Sequence, residues 1–200
     1  IAGGIMKLKI AVLSSGRGSN FSALLKNSRK EDSFFQIALL ISDKENAGAL
    51  KTAKEEGIPH FFVNPKDFEN KEAFENKMVE IVNRYDCGLV CLAGYMRILS
   101  PSFLKAWKKD VINIHPSLLP AFPGLDAQKQ ALEYGVKFSG CTVHFVDEGM
   151  DTGLIIGQKV VPVLETDDEE TLSKRILKEE HILYTEVVNK YAQGKIKNKR

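Results

Sequence analysis

The sequence predicts an α/β fold, a mostly parallel twisted sheet with helices on both faces and an antiparallel hairpin at its C-terminal end. Short runs rich in Val, Ile and Leu alternate with segments of helical period over residues 7–115, which indicates right-handed strand–helix–strand crossovers. The last two apolar runs, residues 141–147 and 154–163, are joined by residues 148–153 alone. Because a parallel crossover needs more residues than this, we expect these two strands to pair antiparallel.

Each earlier element follows from its own local pattern. The expected strands are continuous apolar runs, typical of strands that are covered on both faces; they are residues 7–14, 36–42, 60–64, 89–93 and 111–115. The expected helices repeat apolar residues three or four positions apart; they begin near Phe21 and cover residues 47–56, 71–84, 100–108 and 169–191. Together these elements predict a Rossmann-like sheet.

The organisation of the chain predicts one domain over residues 7–195, without a repeat, linker or low-complexity segment. Hydrophobic residues make up 44% of the 200 residues, which is enough for one core. Residues 1–5 are interpreted as a cloning remnant before a native start at Met6, and residues 196–200 as a charged tail.

Charge and cysteine content limit the partners and the cellular location that the sequence favours. The 28 basic and 26 acidic residues are too balanced for a nucleic-acid surface, and no apolar run approaches the roughly 18 residues of a membrane span. No signal peptide is recognisable at the start. Cys87, Cys91 and Cys141 lack metal or redox spacing, so we expect reduced core thiols in a cytoplasmic protein. Monomer and homodimer both remain open.

A glycine loop lies between the first strand and its helix. Gly16, Gly18, Ser19 and Asn20 occupy the carboxyl edge of the expected sheet, where free amides at a helix N-terminus and small glycines can hold a phosphate. A dinucleotide fingerprint would need glycine where the chain has Phe21. The loop therefore suits a single phosphate, and the alternative is a tight turn in which Ser19 or Asn20 caps the helix.

Asn113 and His115 are the first candidate catalytic pair. Strand alternation puts both side chains on one face, at the carboxyl end where ligands bind in open parallel sheets. A histidine can move protons near neutral pH, and a carboxamide can donate to a developing oxyanion. A structural role at the strand end is the alternative.

Asp151 is the third candidate, in the tight connection of the late hairpin. A carboxylate on a turn flanked by Gly149 and Gly153 could reach a histidine at the sheet edge and orient it. Asp and Gly are also ordinary turn residues, so this motif is weak by itself.

Four motifs taken together resemble a known family. SSGRGSN, LAGYMRILS, NIHPSLLPAFPG and GCTVHFVDEGMDTG occur in this order, and residues 7–195 resemble the phosphoribosylglycinamide formyltransferases, which belong to the folate-dependent formyltransferase family. The resemblance implies transfer of a formyl group from the cosubstrate 10-formyltetrahydrofolate to the amine of glycinamide ribonucleotide in purine biosynthesis, without a metal. It implies that Asn113 and His115 stabilise a tetrahedral oxyanion, and that Asp151 supports His115 and helps to relay the amine proton.

The resemblance also implies two substrate-binding regions. Gly18, Ser19 and Asn20 would hold the 5′-phosphate, and Glu180 would contact the ribose or glycinamide. Folate would bind between two segments, Met96, Arg97, Ile98 and Leu99 on one side and Val146, Asp147, Glu148, Gly149 and Met150 on the other. The chain departs from the family at Lys71, where relatives often carry an arginine that is expected near the phosphate. It also departs at Asp126 and Gln128, where some relatives carry histidines.

Two other functions are weighed against this one. The sibling reactions are hydrolysis of 10-formyltetrahydrofolate and formylation of an initiator tRNA. Either enzyme would be expected to have an additional domain, and the tRNA enzyme would also need a basic surface. A binding module without catalysis is the other alternative, because the glycine loop and Asp43 resemble part of a dinucleotide site. That interpretation leaves Asn113, His115 and Asp151 unexplained.

Overall fold

Seven strands form one mixed sheet in the computed structural model, which describes Gly4 and residues 6–199. The strands are β1 (Leu8–Leu13), β2 (Phe35–Ser42), β3 (His60–Phe62), β4 (Leu89–Leu92), β5 (Val111–His115), β6 (Phe138–Phe145) and β7 (Ile155–Pro162). Their order across the sheet is β3-β2-β1-β4-β5-β6-β7. The first five pair parallel, and β6 pairs antiparallel with both β5 and β7. The predicted fold class is therefore confirmed.

The helices cover both faces of this sheet. They are α1 (Ser19–Ser28), α2 (Gly48–Glu55), α3 (Lys71–Arg84), α4 (Pro101–Trp107), α5 (Ala127–Tyr134) and α6 (Glu169–Ala192). One apolar cluster joins α1, α2, α5 and α6 to the sheet, and a second joins α3 and α4 to its other face. Within the described residues, no helix is long and apolar enough to cross a lipid bilayer.

Two short elements of the structure were not predicted from the sequence, α5 and a single 3₁₀ turn at Pro65–Asp67. Helix α5 buries only Ala127 and Ala131 among its eight residues, so it has almost no apolar stripe from which a period could be detected. Strand β6 also begins three residues earlier than expected, because Ser139 and Gly140 interrupt its apolar run. The interpretation of residues 1–5 as a remnant lies outside the described residues, Gly4 excepted.

The order of the strands determines where a ligand can bind. The chain moves outward from β1 to β2 and β3, and then returns to the other side of β1 to form β4 and β5. In open α/β sheets a crevice forms at the carboxyl ends of the strands at such a switch point. Here that point lies between β1 and β4.

Helix α6 is attached to the sheet directly beside this switch point. Tyr184 is fully buried, and its hydroxyl lies 2.7 Å from the carbonyl oxygen of Leu92 and 3.2 Å from that of Ile112. Leu92 is the last residue of β4, and Ile112 is the second residue of β5. The helix is thereby held against both of these neighbouring strands.

Candidate active site

A cavity of about 1210 Å³ opens at the carboxyl ends of β1, β4 and β5. Its walls include the loop after β1 with the first residues of α1 (residues 16–20, the glycine loop), the loop after β4 (residues 94–99, the Met96 loop) and the end of β5. Residues 124–128, the β6–β7 connection and the first half of α6 also line it. A drug-sized ligand occupies a pocket of roughly 300–1,000 Å³. The cavity is therefore large enough for two small substrates.

The three predicted catalytic residues converge in this cavity. Asn113, His115 and Asp151 all line it, and His115 Nδ1 lies 3.4 Å from Asp151 Oδ2. The His115 ring is 5% exposed, and its Nε2 lies 2.8 Å from the carbonyl oxygen of Phe122. Because a carbonyl can only accept, Nε2 carries a proton and Nδ1 is the nitrogen that faces the carboxylate.

His144 joins this group, and the sequence analysis missed it. Its Nε2 lies 3.3 Å from Asn113 Nδ2 and 3.6 Å from Asp151 Oδ1, while its Nδ1 lies 2.9 Å from the carbonyl oxygen of Phe145. Nδ1 therefore donates to that carbonyl, and in the neutral ring Nε2 accepts from the Asn113 amide. His144 thus links two of the predicted residues.

The pairing of β5 with β6 explains why His144 was missed. Asn113 lies directly opposite His144 in the antiparallel ladder, so the two side chains share a face. In the sequence, His144 is one polar residue in an apolar strand, and such a histidine is usually structural. The contact between His144 and Asn113 could have been predicted only from a correct register between β5 and β6.

Asp151 is held in place by the turn that carries it. Its φ of 54° is left-handed, and its Oδ2 accepts from the backbone amide of Gly124 at 2.8 Å. Burial alone would raise the pKa of the Asp151 carboxyl, but the neighbouring His144, the hydrogen bond from the Gly124 amide and the nearby His115 ring lower it on balance. Asp151 is therefore ionised near neutral pH.

The glycine loop presents an uncapped helix end to the cavity. Gly18, Ser19 and Asn20 line it, and α1 has no side-chain hydrogen bond at its N-cap. Gly18 has a φ of +79°, and a Cβ at this position would lie 2.6 Å from the Cβ of Ala49. Only glycine fits there. Ser19 and Asn20 do not cap the helix, so the first amides of α1 are available to an anion.

Glu180 closes the cavity beside this loop. It is 6% exposed, and its Oε1 lies 3.5 Å from Asn20 Nδ2. Burial raises the pKa of the Glu180 carboxyl to about 7, and the hydrogen bond from Asn20 opposes the rise only in part. The group can therefore donate or accept a hydrogen bond near neutral pH.

The predicted folate-binding segments line the same cavity. Met96, Arg97, Ile98 and Leu99 all line it, as do Val146, Asp147, Gly149 and Met150. Glu148 is the one predicted residue of the second segment that does not line the cavity within the described part of the chain. Met96 is 63% exposed and Ile98 51% exposed, so both offer apolar surface to a ligand.

Lys71 is not brought to the glycine loop. Its Nζ donates to the carbonyl oxygen of Ile98 at 2.5 Å and lies 3.8 Å from Glu75 Oε1, and Lys71 does not line the cavity. A contact between Lys71 and the phosphate therefore has no support from the geometry. Asp126 and Gln128, the two other departures from the family, do line the cavity.

The remaining predictions concern metals and thiols. Among the residues that the structure describes, no group of three or more His, Cys, Asp or Glu side chains is arranged to hold a metal ion. Cys87, Cys91 and Cys141 are free and buried, as predicted. Burial raises the pKa of the Cys87 and Cys141 thiols to about 12, so neither is a reactive thiolate.

Comparisons with known proteins agree with this geometry. A family model described as formyl transferase matches residues 8–188. The phosphoribosylglycinamide formyltransferase of Bacillus subtilis (strain 168) is 48% identical over 180 residues, 90% of this chain and 92% of that protein. The trifunctional purine biosynthetic protein adenosine-3 of Drosophila melanogaster is 47% identical over 86% of this chain, which spans 13% of that longer protein. The crystal structure of glycinamide ribonucleotide transformylase 1 from Symbiobacterium toebii has a TM-score of 0.92 at 46% identity, covering 94% of this chain and 89% of that one.

Proposed function

The chain belongs to the formyl transferase family, and we propose that it transfers a formyl group from 10-formyltetrahydrofolate to the primary amine of glycinamide ribonucleotide in purine biosynthesis. The observation that carries the proposal is the meeting of Asn113, His115 and Asp151 in a cavity that the glycine loop and the Met96 loop also line. An acceptor held by its phosphate at one loop and a donor held at the other would meet at these side chains.

The proposed reaction is a direct acyl transfer. The amine nitrogen attacks the formyl carbon, the new C–N bond forms, and the carbonyl oxygen becomes an oxyanion. The Asn113 amide and the His115 imidazole stabilise this charge. The intermediate then breaks its bond to N10 of the folate, and the proton lost by the amine is delivered to N10, giving formylglycinamide ribonucleotide and tetrahydrofolate.

Asp151 acts on the proton in this scheme. Its carboxylate lies 3.4 Å from His115 Nδ1 and 3.6 Å from His144 Nε2, and its lowered pKa keeps it ionised. It can accept the amine proton, directly or through water, and balance a positive charge on either imidazole. The attacking group arrives with the substrate, so no serine or cysteine nucleophile is needed.

Two parts of the cavity lining suit the two proposed substrates. The uncapped N-terminus of α1 suits a phosphate monoester, and Glu180 beside Asn20 suits the hydroxyl or amide groups of the ribonucleotide. The exposed apolar side chains of Met96 and Ile98, together with the backbone of the Met96 loop, suit the flat pterin ring. We further propose a cytoplasmic location, supported by the three buried free thiols.

The test is the release of tetrahydrofolate, measured with and without glycinamide ribonucleotide. We expect release only when the ribonucleotide is present, and a fall in kcat of roughly 10²–10⁴-fold in Asp151→Asn, because a positioned acid–base group contributes about that factor. Equal release without the ribonucleotide would replace the transferase proposal with the sibling hydrolase. Full activity in Asp151→Asn would remove Asp151 from the proton transfer.

The dinucleotide alternative is weakened by Asp43. Its side chain is fully buried, and both of its oxygens accept hydrogen bonds from other protein groups. An aspartate that recognises a ribose must be free to accept from the ligand's hydroxyl groups. The buried and fully bonded carboxylate of Asp43 therefore has a role other than binding a ribose.

A further inference from the structure

Asp43 lies behind the cavity, where the two substrate loops approach each other. It follows β2, does not line the cavity, and has a side chain with no exposed surface. Its Oδ1 accepts from the hydroxyl of Ser15 at 2.6 Å, and its Oδ2 accepts from Nε of Arg97 at 2.9 Å. One carboxylate thus bonds the residue before the glycine loop and a residue of the Met96 loop.

Ser15 completes the connection between the loops. Its hydroxyl oxygen accepts from the backbone amide of Met96 at 3.0 Å, and its own amide donates to the carbonyl of Gly94 at 3.0 Å. A serine hydroxyl has a single proton. Because Asp43 takes that proton, the lone pairs of Ser15 are turned toward the Met96 amide.

Arg97 provides the charge that makes this arrangement stable. A buried carboxylate is costly unless it is paired and hydrogen-bonded, and the ion pair with Arg97 meets that requirement. The Arg97 guanidinium also lies 5.7 Å from the centre of the Phe74 ring on α3. The Met96 loop is therefore fixed both to the glycine-loop side and to the face of the sheet that α3 covers.

We infer that Asp43 is a positioning residue, whose buried carboxylate ties Ser15 and Arg97 together and so fixes the spacing between the glycine loop and the Met96 loop. This role rests on the proposed function, in which the two loops hold the formyl acceptor and the formyl donor. An error of about 1 Å in such a spacing can cost roughly 100-fold in rate, because the reacting atoms must be near bonding distance.

The test variant is Asp43→Asn, which keeps the size of the side chain. Ser15 and Arg97 donate to different oxygens of Asp43, and an asparagine replaces one of these oxygens with an NH2 group that cannot accept. We expect the KM for 10-formyltetrahydrofolate to rise by about 10-fold or more, the effect of one lost charge-assisted hydrogen bond. We also expect faster hydrogen–deuterium exchange over residues 94–99 in the free protein.

Asp167→Asn is the matched control. Asp167 has a side chain that is 2% exposed and pairs with Arg175, but neither residue lines the cavity. A general loss of stability would affect both variants, whereas only Asp43→Asn should change the KM and the exchange over residues 94–99. Equal changes in the two variants, or no change in either, would overturn the positioning role.

The double variant Ser15→Ala/Asp43→Asn provides a second readout. If the two residues act as one connection, the two substitutions will raise the KM by less than the product of their separate effects. Independent effects that multiply would overturn the connection. If the unmodified enzyme fails to release tetrahydrofolate with glycinamide ribonucleotide, the proposed function is lost, and the exchange over residues 94–99 still decides the role of Asp43.

Discussion

His144 shows how a single side chain can organise a catalytic group without being recognisable in the sequence. It contacts the Asn113 amide on one side and the Asp151 carboxylate on the other, and its second nitrogen is held by the backbone. The histidine therefore fixes the orientation of an amide whose proposed role depends on the direction of its N–H bonds. Its removal should affect catalysis more than substrate binding.

We predict that His144→Phe lowers kcat by up to about 100-fold, the typical effect of a misplaced catalytic group, and changes the KM of either substrate far less. The phenyl ring retains the bulk of the imidazole but leaves Asn113 Nδ2 and Asp151 Oδ1 without this partner. Steady-state kinetics with each substrate varied in turn measures both constants. Tyr191→Phe, which removes one hydrogen bond to Asp110 at the opposite end of β5, is the control and should retain its kcat. An unchanged kcat in His144→Phe would contradict the prediction.

The raised pKa of Glu180 predicts a pH dependence of stability. The folded pKa of about 7 lies above the ordinary value of 4.5, so the folded protein holds a proton that the unfolded chain releases. The associated stability is present below pH 4.5 and is lost as the pH rises through about 7. Relative to Glu180→Gln, the unmodified protein should lose up to about 3 kcal/mol of unfolding free energy over this window.

Urea unfolding at pH 5 and pH 8 without ligands measures this difference. Glu186→Gln, on the exposed side of the same helix, is the control, because Glu186 is 46% exposed and pairs with Lys190. The Glu186 variant should follow the unmodified protein across the window. A Glu180→Gln variant that also follows it would show that the carboxyl titrates at its ordinary pKa.

The strand ends and the loops that follow them do most to build the site. The glycine loop can turn sharply into α1 because Gly18 adopts a left-handed φ, and α2 can pack against this turn because Gly18 has no Cβ. The same turn leaves the first amides of α1 uncapped. The packing of two helices and the binding of an anion thus depend on one residue.

Gly18→Ala should therefore harm both stability and binding. The positive φ costs about 1–3 kcal/mol for a residue with a Cβ, and the 2.6 Å contact with Ala49 adds a steric cost. We expect the KM for glycinamide ribonucleotide to rise as well, because the loop must shift. Gly57→Ala is a matched control, since Gly57 has a φ of +70° but no atom within 4 Å of its virtual Cβ.

Chemical denaturation and kinetics of the two glycine variants separate these effects. Both should lose stability, with the larger loss in Gly18→Ala, and only Gly18→Ala should change the KM for the ribonucleotide. Equal losses and equal KM values would mean that the contact with Ala49 is relieved without moving the loop.

Segments that are far apart in the chain line the cavity, so ligands should stabilise the folded protein. The lining residues extend from residue 14 to residue 180, and a ligand that needs many of them binds the folded state and opposes unfolding. At one hundred times its Kd, a ligand adds about 2.7 kcal/mol. For a chain of this size, that corresponds to a rise in Tm of about 5–10 °C.

We predict this rise in Tm with 5-formyltetrahydrofolate, a stable isomer of the proposed donor, and a further rise when glycinamide ribonucleotide is added. NAD at the same concentration should leave the Tm unchanged. Differential scanning calorimetry measures all three conditions. A shift with NAD and none with the folate would favour the dinucleotide-binding module.

The sequence by itself determined the fold class and part of the site. The β5 residues Asn113 and His115 could be placed on one face because strand alternation is a local property, and the early strands and helices follow from local apolar periodicity. The resemblance of four motifs then indicated the family. These conclusions required no knowledge of which distant segments touch.

Only the tertiary structure decided the contacts between residues far apart in the chain. His144 became a neighbour of Asn113 through the register of β5 against β6, and Asp43 became a bridge through the burial of its carboxylate between two loops. Lys71 was expected near the phosphate and instead donates to the carbonyl oxygen of Ile98 in the Met96 loop. Register, burial and the direction of a long side chain depend on packing across the sheet, and no local pattern in the sequence encodes them.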